Sequence, residues 1–466
     1  MDSDQAAKNR RAARLEKLDK KYLWHPFTQM QDWEREEPVI IESGKGMFLT
    51  DVHGRRYLDG VSSLWVTVHG HRKKEIDRAV ATQLDKIAHS TMLGLSNVPA
   101  VLLARQLIAI APPGLSRVFY SDSGSTAVEI ALKIAFQFWQ QQGRASRSKK
   151  KFISLAEAYH GDTIGAVSVG GIDLFHRIYR PLLFGTLKIE SPYCYRCPYG
   201  KIPSRCRMHC LKQAEAVIRR HHREVAGLVI EPLMQGAAGM LVQPRGFLKK
   251  IRELCTRYGV LLIADEVATG FGRTGSMFAC EQEGVSPDIL CVAKGITAGY
   301  LPLAATITTE AMYRGFLGEH KELKTFFHGH TYTGNPLACS AALASLELFR
   351  KEKTLRRLRP KIKLLRQVLE RFKELEHVGE VRQAGFMVGI ELVRDRKTRE
   401  PYPIEQKTGI RVVLECRRHG VIIRPLGNVI VLMPPLAITE AQLKRFVEVV
   451  YQAVRTVTDQ KSEKTG

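Results

Sequence analysis

The sequence predicts an α/β protein: a large domain around a mostly parallel central sheet, followed by a smaller α+β domain. Three observations carry this. Between residues 71 and 335, short apolar runs alternate with helix-like segments. Those runs are continuously apolar, as strands covered on both faces are. Beyond about residue 340 the pattern changes to a long helical stretch, several short strands and a final helix.

The elements follow in order. Residues 22–70 read as short strands and turns, with a turn at His53-Gly54 between two alternating runs. Strands are expected at RVFY (117–120), KFISL (151–155), AGLVIEP (226–232), VLLIADE (260–266) and DILCVAK (288–294). Helices are expected over 125–139 and 244–259. One long helical stretch is expected from Ala338 to Glu376, then strands in FMVGIELV, GVIIRPLG and NVIVLMPP. The polar tail TDQKSEKTG is expected to fray. The division expected is an N-terminal arm and segment packing with the small domain (1–70), a large domain (71–340) and a small C-terminal domain (341–466).

Composition bounds the class. The 466 residues are 44% hydrophobic and 25% charged, ample for a large core in a soluble chain. No run approaches the roughly 18 apolar residues that cross a bilayer, so no membrane partner is expected. The first residues, MDSDQAAKNRRAARLEKLDKK, lack an apolar h-region and carry Asp2, Asp4, Glu16 and Asp19; a solvated, partly helical arm on a cytoplasmic protein is expected. The net charge is +24, but Lys and Arg are spread along the chain. The densest runs, 147–151 and 355–361, are short and lack interleaved aromatics, so nucleic acid is not expected as a partner; an anionic small molecule explains the charge as well.

Nine cysteines, an odd number, do not read as a disulfide framework. Cys194, Cys197, Cys206 and Cys210 form C-x2-C and C-x3-C pairs separated by eight residues. That spacing suits either a four-thiolate zinc knuckle, with His209 as an alternative ligand, or a set of semi-buried thiols. No metal is assigned to the chemistry.

Ligands of open α/β sheets bind beyond the carboxyl ends of the strands, so the residues after each apolar run matter most. Three endings stand out. In FYSDSGSTAVEIA, small residues lead into a helix whose free first-turn N–H groups favour an anion; Gly124, Ser125 and Thr126 can hold a phosphate, or can form an ordinary cap. In VLLIADEVATGFGRTG, Asp265 follows an apolar run, where a carboxylate needs a charged partner or a route to water. The G-x-G-x-x-G at Gly270–Gly275 lacks the strand context of a dinucleotide site and reads better as an active-site loop carrying Arg273. In PDILCVAKGI, Lys294 follows an apolar run; desolvation lowers a lysine's pKa, and a neutral amine forms imines, whereas a snorkelling lysine would stay charged. Together the three suit pyridoxal phosphate: an imine-forming Lys294, an acidic Asp265 for the pyridinium nitrogen, and a phosphate cradle at Gly124-Ser125.

These motifs, with FFHGHTYTGNPLACSAALA, resemble the class III aminotransferases of pyridoxal-phosphate fold type I. WHPFTQM (24–30), LDGVSSLWVTVHGH (58–71), AYHGDTIGAVSVG (158–170), EPLMQGAAGM (231–240) and IIRPLGNVIVLMPP (422–435) resemble the 8-amino-7-oxononanoate aminotransferase branch of that family. The resemblance covers about residues 20 to 455. It implies a pyridoxal-phosphate transaminase that makes 7,8-diaminononanoate for biotin synthesis, with S-adenosylmethionine as amino donor. It implies catalytic roles for Lys294, Asp265 and Tyr159, with Tyr159 stacked on the cofactor ring near Asp162. It implies phosphate contacts from Gly124 and Ser125, and from His330 and Thr331 of the other subunit of a homodimer. It implies substrate contacts from Phe27, Leu64, Trp65, Tyr159, Lys294, Gly329 and Arg424, the last pairing with the keto-acid carboxylate, for which Arg273 is a second candidate.

The chain departs from the common pattern of adenosylmethionine users, which has Tyr in place of Phe27 and a Trp-Trp pair in place of Leu64-Trp65. Losing a flat aromatic wall forfeits ~1 kcal/mol toward a cation or stacked ring. Lysine, the donor of some relatives, is therefore an alternative donor, and another ω-aminotransferase activity is an alternative reaction. A metal- or nucleic-acid-binding protein is the non-enzymatic alternative.

Overall fold

The computed structural model describes residues 3–459. Most of the tail expected to fray, from 460 on, lies outside the described residues, as do Met1 and Asp2.

The centre is a seven-stranded sheet. Its strands are β1 (Leu115–Ser121), β2 (Lys151–Leu155), β3 (Leu187–Ile189), β4 (Val225–Ile230), β5 (Leu261–Asp265), β6 (Ile289–Val292) and β7 (Ala304–Thr309). Their spatial order is β1-β7-β6-β5-β4-β2-β3, and β7 alone runs antiparallel to its neighbours. The sheet is thus mostly parallel, as the apolar runs predict. Five of the seven strands match expected runs. The other two, β3 and β7, were not anticipated. β3 spans three residues, and β7 (AATITT) holds only one large apolar residue, Ile307, which signals a strand weakly.

Apolar faces explain the layers. Ala127, Ile130, Ala131 and Ile134 line one side of helix α1 (Gly124–Gln141) and pack with Val229, Ile263 and Cys291 of the strands. The opposite face is covered by a cluster that includes Leu228, Leu262 and Leu290, neighbours in those same strands. Period-two alternation within a strand sends adjacent residues to opposite faces, so a strand buried on both reads as unbroken apolar sequence.

A second sheet comes from the C-terminal third: strands Val378–Ala384, Met387–Asp395, Val429–Leu432 and Arg424–Leu426 lie side by side. A third sheet joins the two ends of the chain. Strands Ile41–Lys45, Phe48–Asp51 and Arg56–Asp59 form a meander, and Val421–Ile422 adds in parallel to the last of them. Two short helices, Met30–Arg35 and Ser62–Trp65, interrupt the region expected to hold only strands and turns. The N-terminal arm is the helix Ser3–Tyr22. The long helical stretch is two helices, Pro336–Lys351 and Thr354–Leu369, broken at Lys353, whose φ of 50° leaves the right-handed region. Among the described residues no helix is long and apolar enough to cross a membrane.

Candidate active site

The carboxyl edge of the central sheet opens into a cavity of about 670 Å³. Five strand ends supply its chemistry. β1 leads through Asp122 and Ser123 into the first turn of α1; the Ser123 hydroxyl accepts from Thr126 N at 3.3 Å as N-cap. β2 is followed by Tyr159, His160, Gly161, Asp162 and Thr163. β4 is followed by Glu231, β5 ends on Asp265, and Lys294 stands just past β6.

Asp265 is buried and held at both carboxylate oxygens. His160 Nδ1 lies 2.7 Å from its Oδ2, and Val267 N donates to its Oδ1 at 3.0 Å. His160 Nε2 is buried and has no hydrogen-bond partner among the described residues. Glu231 accepts from Gly236 N at 2.8 Å and Tyr159 N at 3.2 Å; burial pushes its pKa up to about 7, against the pull of His160 and those N–H groups. Lys294 adopts φ 45°, and its Nζ lies 5.2 Å from the Trp65 ring centroid. Burial holds its amine below the usual lysine range, opposed by Asp265 and Glu231. The Tyr159 hydroxyl donates to Asp162 Oδ2 at 2.8 Å; burial first, then that bond, raises the phenol's pKa.

Near the first turn of α1 the backbone is packed too closely for added side chains. A Cβ at Gly124 would stand 2.5 Å from Val267 Cγ1, and one at Gly161 would stand 2.3 Å from Ser125 Oγ, where φ is 121°. Ser125 Oγ in turn lies 2.8 Å from Thr163 Oγ1.

The sequence-derived residues divide into two groups. Lys294, Asp265, Tyr159, Gly124, Ser125 and Trp65 line the one cavity. Phe27, Leu64, Gly329, His330, Thr331 and Arg424 do not. Phe27 is 57% exposed, its ring edge-on to Phe175 at 5.4 Å, and Phe175 meets Tyr159 at 6.3 Å. Leu64 is 48% exposed and turned out of the cavity wall. Gly329 and Thr331 are exposed; His330 Nε2 lies 3.7 Å from Asp122 Oδ1. Arg424 is half-buried on its strand, opposite Val431, and among the described residues its guanidinium has no hydrogen-bond or ion-pair partner.

Arg273 requires a correction. It does not face the cavity: it is 1% exposed and donates to Thr67 O at 2.7 Å and Pro434 O at 2.8 Å. Burial pushes its pKa down to about 9, opposed by Asp59. A guanidinium occupied by two backbone carbonyls inside the core is not available to a substrate carboxylate. All nine cysteines are free, and among the described residues no three thiols bring their sulfurs within 4.8 Å of one another. The cysteine connection is held instead by polar bonds to the C-terminal sheet, where Arg196 Nε meets Glu391 Oε1 at 2.7 Å and Tyr193 also bonds Glu391.

His160 and Glu231 carry no role in the sequence reading. Both had a signal: His160 follows Tyr159 beyond a strand, and Glu231 follows the apolar run AGLVI as Asp265 follows VLLIA.

A desolvated amine, a buried carboxylate and an anion cradle around one cavity are the donor set that pyridoxal phosphate requires. The residues present fit it: Lys294 and Asp265 both line the cavity, as do Gly124 and Ser125 in the first turn of α1. Fold and site define a pyridoxal-phosphate enzyme. The class-III aminotransferase family model matches residues 29–454, and the chain belongs to that family. It is a pyridoxal-phosphate-dependent transaminase acting on small molecules. It is 58% identical over 95% of its length to 98% of an adenosylmethionine-8-amino-7-oxononanoate aminotransferase from Geobacter sulfurreducens. A crystal structure of the enzyme of that name from Methanocaldococcus jannaschii superposes with a TM-score of 0.91 at 49% identity, covering 95% of this chain and 99% of that one. An amine transaminase from an uncultivated Pseudomonas species, solved with pyridoxal phosphate bound, superposes with a TM-score of 0.88 at 37% identity, covering 94% and 99% of the two chains.

Proposed function

We propose that this transaminase converts 8-amino-7-oxononanoate to 7,8-diaminononanoate, the biotin-synthesis step, with S-adenosylmethionine as amino donor. The observation that carries it is the 58% identity, over 95% of the chain, to a relative bearing that name. Arg424, half-buried and without a side-chain partner among the described residues, supports it, since a carboxylate-bearing acceptor needs a free guanidinium fork.

Bound pyridoxal phosphate supplies a carbonyl carbon for amines and an electron sink for the bond broken at the donor carbon. The remaining work falls to the chain. Lys294, its amine held below the usual lysine range by burial, would hold the cofactor and carry a proton at Nζ. Asp265, oriented by His160 and Val267 N, would keep a proton on the ring nitrogen. Gly124 and Ser125 bind the phosphate at the positive end of α1. Tyr159, tethered to Asp162, would flank the cofactor ring, and Trp65 would form part of the substrate wall of the same cavity. His330 and Thr331 complete the phosphate site of the partner subunit in a homodimer, which the exposure of Gly329 and Thr331 supports. The segments 1–70, 71–340 and 341–466 act as arm, cofactor domain and small domain; the shared sheet of Arg56–Asp59 with Val421–Ile422 supports grouping the arm with the last of these.

A second reading replaces the donor with lysine. It rests on Phe27 and Leu64, both exposed and outside the cavity lining, where adenosylmethionine users have Tyr and Trp. The half-reaction decides: pure protein is mixed with each donor alone, and loss of the visible cofactor band is followed. Adenosylmethionine is expected to convert it. Conversion by lysine alone selects the second reading, and no turnover of 8-amino-7-oxononanoate with either donor refutes both.

A further inference from the structure

The segment after the N-terminal meander is strained. Ser62, Ser63 and Trp65 take φ of 52°, 58° and 68°, the left-handed region that residues with a Cβ avoid. Such backbone persists only where its surroundings over-determine it, and it clusters where function needs a particular geometry.

The surroundings here are specific. Asp59, at the end of the strand Arg56–Asp59, is completely buried. Its Oδ1 accepts from Ser63 N at 2.8 Å. Its Oδ2 accepts from the Ser63 hydroxyl at 2.9 Å and faces His71 Nε2, also at 2.9 Å. On the far side the Ser62 hydroxyl donates to Met433 O at 2.6 Å. Arg273 fixes the exit of the segment through Thr67 O. One carboxylate thus supplies two of the bonds that hold Ser63 left-handed.

The held geometry has one product. It lays the Trp65 indole over Lys294 Nζ, with the ring centroid 5.2 Å away. Gly236 backs the ring so closely that a Cβ there would stand 3.2 Å from Cζ3. Trp65 Nε1 is buried and has no hydrogen-bond partner among the described residues, while the residue lines the cavity.

We propose that Asp59 is a positioning residue for the active site: by clamping the left-handed Ser63 it seats Trp65 over Lys294 and sets the wall that the amino donor meets. Asp59 itself does not line the cavity, so it acts through the segment. The inference rests on the roles given above to Lys294 and Trp65.

The test compares holoenzyme variants Asp59→Ala, Ser63→Ala, Ser63→Gly and the double variant Asp59→Ala/Ser63→Gly. Glycine adopts left-handed backbone at little cost, so it replaces the clamp without replacing the carboxylate. Asp59→Ala is expected to lower kcat/KM for the donor about tenfold to a hundredfold, chiefly through KM. It is also expected to move the pH midpoint of the visible cofactor band downward, because an indole face favours a cation at Lys294. Ser63→Ala shifts both in the same direction by less, and the double variant regains most of both. An unchanged midpoint and donor KM in folded Asp59→Ala overturns the proposal, as does a double variant no better than Asp59→Ala. Should Asp59→Ala not fold, the Ser63 pair decides: Ser63→Gly must be near wild type and Ser63→Ala impaired, and the reverse order overturns the proposal. The band midpoint needs no substrate, so a wrong donor assignment leaves that arm readable.

Discussion

At the scale of single residues, Lys294 and Glu231 show how burial makes chemistry. Removing the amine leaves nothing to attach the cofactor, so Lys294→Ala is expected to lose the visible band and about a thousandfold or more of kcat. Absorption spectroscopy and steady-state assay check it. Glu231 titrates near 7 in the folded chain against about 4.5 unfolded. The folded state therefore binds the proton more tightly. The stability linked to that proton is complete below about pH 4.5 and is lost as pH rises through about 7, on the order of 3 kcal/mol. Glu231→Gln should remove this part of the slope in urea unfolding, leaving that of Glu266, which burial also raises to about 7. Asp265 and Lys294 were legible in the sequence because a charged residue directly after an apolar run is costly without a purpose. Glu231 carried the same signal, but nothing in the sequence shows that its partners are the N–H groups of Tyr159 and Gly236.

At the scale of elements, the phosphate cradle depends on close backbone approach between the start of α1 and the turn after β2. Gly161→Ala would place a Cβ against Ser125 Oγ and force an unfavourable φ, so cofactor affinity should fall at least about tenfold. Titration of the apoenzyme with pyridoxal phosphate measures it. The helix start was readable from SDSGSTAVEIA, since cap residues and an apolar period coincide there. The glycine loop at Gly270–Gly275 was misread. Its Gly272 packs against Leu436, Leu355 and Phe349, and its Arg273 turns inward to carbonyls of distant segments. A motif specifies local flexibility; which way its side chain turns depends on neighbours more than 150 residues away.

At the scale of the whole molecule, the proposed homodimer makes a sharp prediction. With Lys294 from one subunit and Thr331 from the other at each site, mixing Lys294→Ala and Thr331→Ala chains should rebuild one intact site in half of the dimers. Activity should then rise to about a quarter of wild type after subunit exchange. If both residues served the same subunit's site, no intact site could form and activity would stay at the level of the parents. The sheet that joins Arg56–Asp59 to Val421–Ile422 belongs to this scale too, because its strands are separated by most of the chain and no local pattern announces their pairing.

The sequence by itself determined the parallel-sheet core, the strand-end Lys294 and Asp265, and the helix that opens at Gly124, because each is written in local period and residue type. The tertiary structure alone decided that His160 grips Asp265, that Arg273 is a buried brace, and that Asp59 clamps Ser63 beneath Trp65. For His160 and Arg273 the partners lie more than 100 residues apart, while Asp59 and Ser63 are near neighbours whose bond needs the positive-φ backbone that the surrounding fold holds. Burial and hydrogen-bond geometry, which determine what a charged group can do, exist only once the segments meet.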